Sequence, residues 1–355
     1  MKRSGTGSGK TSWGAQSLLR RDDGFSGARG KGRAMDGGDI SPWEGLRLAV
    51  FVAARGFEDI LLEELGRLSV RVLEVRERLV LAEAPEGDVP LPMWAQNVWL
   101  NPRFIRAESI GGFARALTAL QRNWHLHSTG FHRRAALIAE KCPHVSERPL
   151  RFGEPAPASP LGSWTLWAPD AALASPACSS PFPDGEVRFE EDKINPPSRA
   201  YLKLWELFTR FPEAKPAPGD LCLDLGACPG GWTWVLASLG AKVFALDKAP
   251  LDGRVAAMPG VTSCIGSGFG LDPRHAGSVD WLFSDMICYP SRLYEVIMRW
   301  EALGECKNFV CTLKCQGQTD FDVLERFASL PGSRVVHLSC NKHELTWLRL
   351  AAWRR

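Results

Sequence analysis

Four apolar runs recur in the second half of this 355-residue chain: LCLDL (221–225), KVFALD (242–247), VDWLFSD (279–285) and NFVCTLK (308–314). Each has the length of a strand, and helix-length segments separate most of them. Strands that run parallel need a crossover between them, usually a helix. The alternation therefore predicts a parallel sheet with helices on both faces. The end of the chain breaks the pattern. SRVVHLSC (333–340) and ELTWLRLAAW (344–353) flank the short NKH, which predicts a closing antiparallel hairpin. Ahead of the first strand, SRAYLKLWELFTRF (198–211) is amphipathic at helical spacing, with Ser198 placed as an N-cap.

In a doubly wound sheet the ligand lies at the carboxyl ends of the strands, by the first strand-to-helix turn. Here that turn lies within LDLGACPGGWTW (223–234). A dinucleotide-binding loop needs G-x-G-x-x-G, but Gly226 is followed by Ala227 and Cys228, so the second glycine is missing. Asp247 ends the next strand, where a carboxylate accepts hydrogen bonds from ribose hydroxyls. An acid beside the loop also suits a cationic ligand. Together these features favour S-adenosylmethionine over a pyrophosphate, with a purely structural turn around a buried Cys228 as the other reading. Trp232 and Trp234 follow at the helix start, where packing is a commoner role than stacking on a base.

Upstream, LRLAVFVA (46–53), the helical stripe of GFEDILLEELGRL (56–68) and the paired strands of VRVLEVRERLVLAEA (70–84) predict a small α+β module, with a further helix near 112–122. Eleven of the 25 prolines fall within 141–197, read as a linker with short ordered pieces. The expected organisation is a disordered tail (1–40), an N-terminal α+β region (46–140), the linker (141–197) and a sheet domain (198–355).

Charge and composition bound the function. The net charge is +3, yet residues 1–40 alone carry +4, so nucleic acid would have to be bound by a local basic patch. Arg103, Arg106, Arg133 and Arg134 are candidates, with solvated faces the plain alternative. SGTGSGKT (4–11) ends like a phosphate-binding loop, but Ser4 stands where the first glycine is needed and no strand precedes it. The ten cysteines include no Cys-x-x-Cys pair, which fits reduced thiols in a cytoplasmic protein better than a zinc site or a disulfide framework. No metal site is expected. There is no apolar run near membrane-spanning length, and the basic N-terminus lacks the apolar core of a secretion signal.

LDLGACPGGWTW resembles the cofactor loop of the FtsJ-like ribose 2′-O-methyltransferases, and within them the members that modify a cytidine ribose of bacterial large-subunit ribosomal RNA. PSRAYLKLWE (197–206) is similar to the segment with the family's first lysine, FSDM (283–286) to that with its aspartate, TLK (312–314) to its second lysine, and HELTWLRL (343–350) to its glutamate. SSPFPDGEVRF (179–189) and MWAQNVWLNP (93–102) resemble further family segments, and ARGFEDILLEEL (54–65) resembles the ferredoxin-like and THUMP region of its N-terminus.

The resemblance implies a Rossmann-like class I methyltransferase sheet with a smaller N-terminal α+β domain, S-adenosylmethionine as cofactor, and ribosomal RNA or a pre-ribosomal particle as partner. It implies no membrane and no obligatory protein partner. It assigns Lys314 as proton acceptor, with Lys203, Asp285 and Glu344 completing a tetrad. Cofactor contacts would come from Ser198, Asp224, Gly226, Cys228, Pro229, Gly230, Gly231, Trp232, Asp247, Ser267 and Asp285. Ser267, in GSGFGLDP (266–273), stands where the family usually carries an acid that meets the adenine amino group. Competing functions are a methyltransferase on another RNA, or a non-catalytic RNA-binding assembly factor on the same fold.

Overall fold

The computed structural model describes residues 41–43 and 45–354. The expected tail and the SGTGSGKT stretch lie outside them. Three sheets make up the described chain.

The first sheet has the order β2-β3-β1-β4, built from β1 (Leu48–Ala53), β2 (Val72–Arg76), β3 (Leu79–Glu83) and β4 (Ala95–Trp99), with helix α1 (Glu58–Arg67) joining β1 to β2. β1 is buried along its whole length, as expected of a central strand clothed on both faces.

The second sheet has the order β5-β8-β7-β6, from β5 (Arg103–Arg106), β6 (Trp124–Leu126), β7 (Gly162–Ala168) and β8 (Ala171–Ser175), with helices α2 (Ile110–Leu120) and α3 (His132–Ala139). Here the sequence expectation is corrected. β7 and β8 fall inside the segment read as a linker, and every residue of both is buried. The prolines of that segment flank the strands: Pro169 lies in the turn between them and Pro176 follows β8. Proline at such positions punctuates a strand pair and leaves its ladder intact.

The third sheet has seven strands in the order β11-β10-β9-β12-β13-β15-β14. After helix α4 (Tyr201–Arg210) come β9 (Leu221–Leu225), α5 (Gly231–Ser238), β10 (Lys242–Asp247), α6 (Gly253–Ala256), β11 (Val261–Ile265), α7 (Pro273–Ala276), β12 (Val279–Ser284), α8 (Pro290–Leu303), β13 (Cys306–Lys314), α9 (Phe321–Ala328), β14 (Ser333–Val336) and β15 (Glu344–Arg349). Strands β9 to β13 pair in parallel; β15 inserts antiparallel between β13 and β14. This is the mostly parallel sheet with an antiparallel closing hairpin. The order reverses at β9, so the crevice between the carboxyl ends of β9 and β12 is the switch point where ligands bind.

Two details differ from the sequence reading. α4 begins at Tyr201 and its N-cap is Ala200, so Ser198 caps nothing. Its hydroxyl faces Gly231 instead, where an added Cβ would lie 2.5 Å away. The last hairpin is also looser than the NKH turn suggested, because β14 stops at Val336. The backbone beyond it is engaged elsewhere. His337 N donates to Met93 O at 3.1 Å, and Ser339 N donates to both oxygens of the buried Glu206 at 2.9 and 2.8 Å.

A continuous core joins the first sheet to the third. Phe51, Leu61 and Trp94 belong to the same buried cluster as Leu282, Trp300, Phe327 and Trp347. Arg67 of α1 adds exposed ion pairs to Asp322 and Glu325 of α9, worth little each. No helix of the described residues is long and apolar enough to cross a membrane.

Candidate active site

The turn after β9 is shaped by close packing. Gly226 has φ +79°, and a Cβ there would come within 2.9 Å of the Met286 Cα. Gly230 has φ +115° and sits before α5, against Val255. Both conformations favour glycine, and at Gly226 the Met286 backbone leaves no room for a side chain. The Cys228–Pro229 peptide is cis. The resulting loop lets backbone and small side chains line a cavity of about 400 Å3. Ser198, Asp224, Gly226, Cys228, Pro229, Gly231, Trp232, Asp247, Ser267, Asp285 and Lys314 all line it. Gly230 does not; it supports the turn from behind.

Carboxylates from successive strand ends face this space. Asp247 is committed to the loop itself, accepting from Cys228 N and from Ala249 N, both at 3.0 Å. Asp224 is buried, and its Oδ2 accepts from Thr233 Oγ1 at 2.6 Å. Its Oδ1 has no partner among the described residues, and neither does the buried Ser198 Oγ. Burial, reinforced by the charges of Asp285 and Asp247 and opposed by the Thr233 hydrogen bond, pushes the Asp224 carboxyl up to about 7. Trp232 is buried, donates through Nε1 to Ala200 O at 3.0 Å and packs edge-on against Phe283, so it is chiefly a wall residue. Trp234 packs against Tyr201 and Trp205. Ser267 sits in the cavity wall. Asp272 is spent elsewhere, capping α7 and pairing with Arg274, so it does not replace the missing acid.

At one rim of the cavity four charged side chains close into a ring. Lys203 Nζ lies 3.0 Å from Asp285 Oδ1 and 2.7 Å from Glu344 Oε1. Lys314 Nζ lies 2.7 Å from the same Asp285 oxygen and 3.5 Å from Glu344 Oε2. They come from α4, the end of β12, the end of β13 and the start of β15. The pairing register sets Lys314 directly opposite Glu344. All four are mostly buried, at 10–18% side-chain exposure. At Lys203 and Asp285 burial disfavours the charged form, but the pairing wins. Burial pulls the Lys203 ammonium down, yet Asp285 and Glu344 leave it raised overall. Likewise burial raises Asp285, and the two lysines leave it lowered. Of the two lysines, Lys314 lines the cavity and Lys203 does not.

The basic candidates lie elsewhere, on β5 and α3 of the second sheet. Arg103 and Arg133 are exposed, Arg106 pairs with Asp170 at 3.3 Å, and Arg134 donates to Glu108 O at 2.7 Å. The sequence reading missed Lys248, Phe269 and Ile287, which also line the cavity. All three lie on loops just past strand ends, and that position is the signal that could have found them.

Residues 196–328 match the family model described as FtsJ-like methyltransferase. Among curated relatives, Ribosomal RNA large subunit methyltransferase M of Laribacter hongkongensis is 37% identical over 164 residues, covering 44% of this chain and 46% of the relative. The protein of the same name from Alkalilimnicola ehrlichii is 34% identical over 206 residues, covering 53% and 56%. The chain spans about half the length of the curated relatives it matches. A solved magnesium protoporphyrin IX methyltransferase from Synechocystis with bound SAM is similar at 15% identity and a TM-score of 0.29, covering 37% of this chain and 71% of that one. Lys203, Asp285 and Lys314 lie within the segment that matches this family model.

Proposed function

We propose that this chain transfers a methyl group from S-adenosylmethionine to a ribose 2′-hydroxyl, that of a cytidine in large-subunit ribosomal RNA. The observation that carries the reading is the closed ring of Lys203, Asp285, Lys314 and Glu344 on the rim of a strand-end cavity. The relatives' names supply the RNA class, and the intact ring argues against a purely non-catalytic assembly factor.

The cavity suits the cofactor. Its volume of about 400 Å3 falls within the usual range for small-molecule sites. Two buried oxygens, Ser198 Oγ and Asp224 Oδ1, lack partners and can receive an ammonium or hydroxyl group. Cys228, in the cavity wall, puts a side chain where a dinucleotide loop needs its second glycine, which disfavours NAD. Asp247 keeps lone pairs for ribose hydroxyls beyond its two backbone hydrogen bonds. When bound, S-adenosylmethionine supplies an electrophilic methyl group on a sulfonium.

The chain's own residues do the rest. Lys203 and Asp285 are locked charges that fix the ring's geometry. Lys314 faces the cavity, so in its neutral amine form, reached by losing a proton to solvent, it is the group that accepts the 2′-hydroxyl proton as the oxygen–methyl bond forms and the sulfur–methyl bond breaks. Asp285 and Glu344 aim its amine. Alignment and proton removal are the two demands of an in-line transfer to a weak nucleophile. The first two sheets, with Arg103, Arg106, Arg133 and Arg134, form the RNA-binding region in this reading. The test is to map ribose methylation on large-subunit ribosomal RNA from cells with and without the gene. Loss of one 2′-O-methyl mark supports the reading; identical maps overturn it.

A further inference from the structure

The loop that leaves β12 alternates strictly. Met286 and Cys288 are buried, at 6% and 7% exposure, whereas Ile287 and Tyr289 are 84% and 59% exposed. The buried pair belongs to the main core cluster, so the loop is anchored and the outward pair is held in place. Pro290 at the first position of α8 keeps Tyr289 extended, at φ −65° and ψ 144°. An isoleucine so exposed beside an aromatic, at the mouth of a cavity, is an apolar surface awaiting a partner.

Its place narrows the partner. Ile287 lines the same cavity as Asp285 and Lys314. Two residues of chain span at most about 7 Å, so the Ile287 Cα lies within that distance of the Asp285 Cα. A nucleoside's base and its 2′-hydroxyl hang from adjacent carbons of one sugar. A ribose whose hydroxyl reaches Lys314 therefore brings its base to this loop. One turn along, the exposed Arg292 lies with its guanidinium 3.8 Å over the ring of Phe269, which also lines the cavity. No carboxylate among the described residues pairs with Arg292, and stacking leaves the guanidinium's N–H edge open to a phosphate.

We infer that Ile287 and Tyr289 hold the base of the target nucleotide, unstacked from single-stranded RNA, and that Arg292 takes a neighbouring phosphate. The inference rests on the proposed methyl transfer to RNA and extends it to the residues that seat the substrate. Stacking of an unpaired base on an aromatic side chain, next to a cation for the backbone, is the usual chemistry of single-strand recognition.

The test uses the full chain, S-adenosylmethionine and unmethylated large-subunit ribosomal RNA, with a short oligocytidine RNA as a binding probe. Tyr289→Ala should raise the KM for RNA about tenfold and weaken oligocytidine binding by a similar factor. It should leave kcat within about twofold and the cofactor Kd unchanged, because Tyr289 does not line the cavity. Tyr289→Phe should behave as wild type. Arg292→Ala should lower the slope of log affinity against log salt by about one phosphate contact. Wild-type KM and oligocytidine affinity in Tyr289→Ala would overturn the inference while leaving the methyl transfer standing. If that variant instead altered only sedimentation of the protein, the patch would be an interface with a second copy, which also overturns it. A wild-type chain that binds cofactor but transfers nothing to RNA would overturn the underlying reading, and this inference with it.

Discussion

Lys203 and Glu344 meet at 2.7 Å although one lies on the helix before the sheet and the other on its penultimate strand in space. Their contact closes a ring that Asp285 and Lys314 complete. Removing one member of a buried ion pair leaves its partners charged and unpaired. Lys203→Met should therefore destabilise the chain by about 3 kcal/mol in urea denaturation. The double variant Lys203→Met/Glu344→Gln should lose clearly less than the sum of the two single losses, because the second change removes the stranded charge. Additive losses would mean that the pair is not coupled.

Asp224 gives a pH signature. Its carboxyl is held near 7 in the folded protein, above its ordinary 3.8. A group raised in this way contributes stability fully below its unfolded pKa, and the contribution is lost as pH rises through about 7. A cationic ligand favours the ionised form, so cofactor affinity should rise from pH 6 to pH 8, with proton release on binding. Calorimetry in buffers of different ionisation enthalpy measures that proton. Asp224→Asn should abolish the proton release and flatten part of the stability profile. A residual slope should remain from Glu64, which burial also raises to about 7. Unchanged proton release in Asp224→Asn would assign the titration to another group.

Ser267 lines the cavity, and the nearby Asp272 is diverted to Arg274, so neither supplies a free carboxylate there. A carboxylate makes a hydrogen bond roughly twice as strong as a hydroxyl's. Ser267→Asp should accordingly tighten S-adenosylmethionine binding by about fivefold, and Ser267→Ala should weaken it by less than that. Weaker binding in Ser267→Asp would show that adenine is held by other groups.

What the sequence disclosed followed from burial. LCLDL and KVFALD are central strands, and β9 and β10 occupy the expected residues. The edge strand β11 was missed because most of VTSCI is exposed and carries no apolar stripe. β7 and β8 were hidden by the prolines around them, although their buried runs are as continuous as that of β1. Most candidate site residues were legible as motifs, since Asp224, Asp247, Asp285, Lys314 and Glu344 sit at or near strand ends and residues 226–231 form a turn, whereas Lys203 lies within helix α4. Their closure into a ring was not, because it depends on the antiparallel register that sets Lys314 opposite Glu344. Nor was the place of Ser198, whose hydroxyl faces Gly231, the first residue of α5, rather than the N-terminus of α4. Local capping preference pointed one way and the fold used the residue another.

The most direct measurement is the transfer of a labelled methyl group from S-adenosylmethionine to unmethylated large-subunit ribosomal RNA by wild type, Lys314→Ala and Lys314→Arg. The product is located as a 2′-O-methyl ribose by its resistance to alkali. Wild type should place one such mark. Lys314→Ala should lower single-turnover rate by about 10²–10⁴ while binding cofactor nearly as wild type, since a general base acts in the transition state. Lys314→Arg should fail as well, because a guanidinium keeps its proton near neutral pH. Near-normal transfer by Lys314→Ala, or a wild-type mark anywhere but a ribose 2′-oxygen, would contradict the account.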